Sequence, residues 1–231
     1  MILREFAGAR GVTLPRRARI VRRVVLVAAV CIASAALSAG PARFAGRVVL
    51  EVVEDIEFNH KLRLLEDFSF QDEQGTVWHA SKGAIIDGTS VPRGLRAIPG
   101  LPFEGDYRKA SVVHDFQVRA KTRPWREVHR MLYRASLVEG LSEPEAKLVY
   151  MAAYAGGGRW ELHPSSCYGS CHASASLLAW RPDVTVAELQ PVVEWLQQGN
   201  PSLEEIEQRV DAVTPRPGPH LFAQLRPKSG D

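Results

Sequence analysis

The chain reads as an α+β protein in which a small antiparallel sheet precedes a cluster of three helices and two short C-terminal helices. Three observations predict this. Residues 47–80 are rich in β-branched and aromatic side chains at two-residue spacing, the apolar period lengthens to the helical one from Asp106, and Ser/Thr-x-x-Glu signatures recur downstream. At 231 residues, with 45% hydrophobic and 24% charged side chains, there is material for one ordinary core of about 100–150 residues plus tails.

The strands come first. Arg47–Val53 (RVVLEVV), Leu62–Phe70 (LRLLEDFSF) and Thr76–Ala80 (TVWHA) form the sheet, broken at Asn59 and Gly75, with Gln71–Gly75 as a hairpin turn. Tyr107–Arg119 is the first helix, with Ala110, Val113 and Val118 near one face. After a break at Lys121–Pro124, a longer helix runs to Glu139 and closes at Gly140. Ser142 and Glu145 have capping-box spacing and open a third helix to about Tyr154, ended by Gly156–Gly158. Thr185 with Glu188, and Ser202 with Glu205, repeat the signature. They predict one short helix around Trp195, its boundary blurred by Pro191, and another holding Leu203, Ile206 and Val210. The proline-rich end has the composition of a tail.

The N-terminus has a different character. Arg4, Arg10, Arg16, Arg17, Arg19, Arg22 and Arg23 precede a run from Val24 to Ala42 without a charge, with small residues near Gly40 and Ala42. A basic arm, an apolar stretch and small residues are the parts of a signal peptide, and the strongly apolar part, 24–39, is shorter than the ~20 residues that span a bilayer comfortably. Residues 1–42 are therefore expected to be a signal peptide or an N-terminal membrane anchor. The protein would then be exported, periplasmic or anchored in the inner membrane, with the membrane as a partner through this segment. Val30 before Cys31 is a poor lipoprotein box. The net charge of +3 resides largely in the arm, which removes the main support for nucleic-acid binding.

Export also sets how Cys167 and Cys171 are read. In an oxidising compartment, two cysteines four apart in HPSSCYGSCHASA favour a disulfide. Two sharper readings stand beside it: CYGSCH is one residue longer than a haem-attachment sequence, and His163, Cys167, Cys171 and His172 form a zinc-type donor set.

The candidate site lies upstream, where DGTSVP (Asp87–Pro92), the His114–Asp115 pair and His129 place polar groups on segments that otherwise read as core. Taken in order, DGTSVPRGL, DYRKASVVHDF, RxxHRMLYRASL and AGGGRW resemble the phage and bacterial family called domain of unknown function 1353, over about Val48 to Trp160. The resemblance implies a domain at 47–160, followed by a cysteine-containing loop, two helices and tail at 161–231. It also implies a His-Asp helix facing a second helix with an inward Asp. This chain keeps an aromatic at Phe116, has Val118 where a second Tyr is expected, and carries His129 where the Asp is expected.

Adjacent helical residues point about 100° apart, so His114 and Asp115 serve different partners. In one reading the pair is catalytic: His114 is a general base and Asp115 holds a cation, similar to the His-Asp helix of secretory phospholipases, with His129 in place of the orienting carboxylate. In another, His114 and His129, with Asp87 or Asp115 as an oxygen ligand, hold a divalent metal ion such as zinc. In a third, Asp87 caps a turn, His114 bonds a core group, and the cluster only pins the fold. His60, His79 and His220 read as surface histidines. The function classes left open are a metal-dependent envelope hydrolase and a non-enzymatic structural or phage-derived binding module with a protein or envelope partner.

Overall fold

The computed structural model describes residues 40–56, 59–87, 90–161 and 178–214. The chain divides into Met1–Ala39 and Gly40–Asp231, and the first of these lies outside the described residues, as do Cys167, Cys171, His163, His172 and His220. Within the second unit the strands up to Ile86 precede the α-helices, as the apolar periods predict, and two further strands lie between the third and fourth α-helices.

The described residues form three small antiparallel sheets, two from the strand region and a third from later in the chain. β1 (Arg43–Gly46), β4 (Phe68–Gln71) and β5 (Val77–Ala80) form the first, in the order β1-β4-β5. β2 (Leu50–Ile56), β3 (Asn59–Leu64) and β6 (Ile85–Ile86) form the second, and β7 (Arg159–Glu161) pairs with β8 (Leu178–Trp180) in the third.

Two strand expectations need correction. The stretch Leu62–Phe70 is two strands in different sheets, because the chain bends at 65–67, where the Asp67 carboxylate accepts the backbone N–H of Lys82. Leu62, Leu64, Phe68 and Phe70 share one two-residue phase on either side of that bend, and Leu65–Glu66 is the one departure from it, so the bend leaves little trace in the sequence. The stretch Arg47–Val53 is strand only from Leu50, where β2 starts and runs on to Ile56, while β1 ends just before it at Gly46. Gly46, at φ 93°, lets the chain turn there, and a Cβ on it would lie 2.6 Å from the Asp67 carbonyl oxygen.

The hairpin between β4 and β5 is where the sequence places it. Asp72 accepts the backbone amides of Gln74 and Thr76 and the indole N–H of Trp78, which satisfies a buried carboxylate three times over. Phe70 and Trp78 face each other across the strands and are buried. Each contributes roughly 1.5–3 kcal/mol of burial relative to exposure.

Among the described residues five α-helices follow: α1 (Arg108–Ala120), α2 (Trp125–Glu139), α3 (Glu143–Gly156), α4 (Val186–Gln198) and α5 (Leu203–Val213). The capping boxes at Ser142, Thr185 and Ser202 all form. Pro191 lies inside α4 instead of ending it. α1 packs on β4, β5, β6 and α2, while α3 runs between α2, α4 and α5. From Ala146 to Gly156 every residue of α3 is buried, so this helix is the centre of the core, and Leu189, Val193, Ile206 and Val210 bring the C-terminal helices into the same cluster. Among the described residues, no helix is long and apolar enough to cross a membrane.

Candidate functional site

The described parts of the sequence motifs converge on one place. From the DGTSVP turn, Ser90 shares a 2.8 Å hydroxyl–hydroxyl hydrogen bond with Ser111 on α1, and Val91 is buried. The chain then makes a short 3-10 turn, Arg93–Leu95, whose Leu95 approaches Gly156 so closely that a Cβ there would lie 2.8 Å from Leu95 Cδ1. Gly157 is tighter, because its Cβ would meet Ala153 O at 2.1 Å and His129 Cε1 at 2.8 Å. Gly156 and Gly157 therefore do more than end α3. They let the backbone pass between the DGTSVP turn and the His129 ring.

At this crossing His114 and His129 bond each other, with His114 Nε2 2.8 Å from His129 Nδ1. The second nitrogen of His129 lies 3.2 Å from the Gly158 carbonyl oxygen. These partners fix the protons. A carbonyl oxygen only accepts, so His129 Nε2–H donates to Gly158; in the neutral ring Nδ1 is then the acceptor, and His114 Nε2–H donates to it. The relay thus leaves the lone pair of the dyad at His114 Nδ1. That atom is buried with no hydrogen-bond partner, 3.9 Å from Asp115 Oδ1.

Burial holds both rings neutral. His114 is 2% exposed and His129 fully buried. Desolvation is the main cause that lowers His114 well below its ordinary value, with charge repulsion from His129 and Arg181 adding to it. Desolvation brings His129 down to about 3, opposed by the Gly158 bond and reinforced by Arg159 and Arg181. Trp125 and Tyr154 wall the His129 ring edge-on, with centroids 5.7 and 6.3 Å away. The guanidinium of Arg159 lies over both of those rings, 4.8 and 5.0 Å from their centroids.

Of the residues singled out in the sequence, His114, Asp115 and His129 are brought together on α1 and α2. Asp87 is directed elsewhere: half-exposed, it lies 4.0 Å from Arg119 Nη2. Among the described residues, no three His, Cys, Asp or Glu side chains form a group able to hold a metal ion. Sequence reasoning missed Gly158 as the hydrogen-bond acceptor and Arg159 as the neighbouring cation. The available signal was the run of three glycines, two more than a helix end requires. His79 is exposed, and its carbonyl accepts from Gln117.

The resemblance read from these motifs can now be set against known proteins. Residues 62–153 match the family described as "Protein of unknown function (DUF1353)". The matched segment thus runs from β3 to the last turn of α3 and contains His114, Asp115 and His129. Two proteins of Sinorhizobium fredii (strain NBRC 101917 / NGR234) are similar to it. One, "Uncharacterized protein y4iH", is 41% identical over 102 residues, covering 44% of this chain and 42% of its own length. The other, "Uncharacterized protein y4jT", is 39% identical over 99 residues, covering 43% of this chain and 30% of its own. The chain therefore spans less than half the length of the curated relatives it matches. No solved structure matches.

Proposed function

We propose that this protein is an exported or membrane-anchored DUF1353 module that binds or organises envelope material and does not hydrolyse it. The observation that carries this reading is the His114–His129 hydrogen bond. A general base needs a neighbour that stabilises its imidazolium, and the usual device is a carboxylate on the far nitrogen. Here the far nitrogen of His114 faces a neutral imidazole, Arg159 and Arg181 act on the dyad as cations, and the Asp115 carboxylate lies 3.9 Å away on the other, Nδ1 side. Proton uptake at His114 is opposed on that side, and with both rings buried the dyad serves better as a pin between α1, α2 and the Gly158 backbone than as a base. Export is argued from the basic arm and the apolar run at 1–42.

The test pairs turnover with stability. Wild type and His114→Ala are assayed on peptidoglycan and on phospholipid vesicles, and both are melted. The expected result is no turnover by either and a lower melting temperature for the variant. Hydrolysis by wild type that His114→Ala abolishes without loss of fold would overturn the module reading. For export, a mature N-terminus at Met1 in a soluble cytoplasmic fraction would overturn the location.

A further inference from the structure

We draw no further inference here: the strongest candidate, the surface patch at Phe103 on the turn that leads into α1, is one exposed apolar side chain beside the acidic Glu104 and Asp106, and nothing among the described residues shows what covers it.

Discussion

His129 is the residue on which the chemistry turns, because it replaces the Asp that the family resemblance implies. A carboxylate at that position would receive the His114 Nε2–H and stabilise its imidazolium; the imidazole accepts the same bond without a charge. Restoring the acid with His129→Asp is expected to raise the His114 pKa toward or above its ordinary value of about 6.5, read from the pH dependence of its ring resonances. A His114 that stays unprotonated down to pH 5 in that variant would show that Arg181 and burial govern it instead. In the wild type, both histidines are depressed in the folded state relative to the unfolded one. Their contribution to stability is therefore complete above about pH 6.5 and is lost as the pH falls toward the folded values, at roughly 1.4 kcal/mol per pH unit for each ring. Denaturant unfolding between pH 7 and 5 measures it, and an unfolding free energy that is flat over this range contradicts the burial of the pair.

At the scale of elements, the helices were more legible than the strands, for a physical reason. Capping boxes at Ser142, Thr185 and Ser202 are local hydrogen-bond arrangements, so four residues of sequence specify them. Strand ends depend on partners far along the chain, and the bend at 65–67 is set by Asp67 meeting the Lys82 amide, which no local pattern reveals. The site was legible in its polar members for the same local reason, whereas the Gly158 carbonyl became visible only once α3 and β7 were placed. Gly157→Ala tests that placement. With Ala153 O 2.1 Å and His129 Cε1 2.8 Å from the new methyl, a loss of about 3 kcal/mol or more is expected by chemical denaturation. By contrast, Ser202→Ala removes one cap and is expected to cost about 1 kcal/mol.

Across the whole molecule, the segment that matches the DUF1353 family is held by residues outside its own bounds. Glu207 on α5 accepts from Arg130 Nε at 2.6 Å and from the Tyr150 hydroxyl, and Asp211 accepts from Arg126 Nη2 and the Tyr154 hydroxyl, both at 3.0 Å. Arg159 reaches Asp211 at 3.2 Å and donates to Thr214 Oγ1 at 3.0 Å. Since Tyr154 and Arg159 also wall the dyad, the C-terminal helix and the His114–His129 pair belong to one packed unit. Glu207→Gln is expected to destabilise the fold by about 2 kcal/mol in denaturant unfolding, because the bonds from Arg130 and Tyr150 lose the charge that strengthens them. An unchanged unfolding midpoint would make α5 an appendage. The relay itself, joining α1, α2 and the Gly158 backbone, is tested most directly by long-range 1H–15N correlation of the imidazole rings near pH 6.5. The account predicts that both His114 and His129 are neutral Nε2–H tautomers with hydrogen-bonded ring protons and no titration between pH 5 and 8. A proton on His114 Nδ1, or a titration near pH 6.5 for either ring, would contradict it.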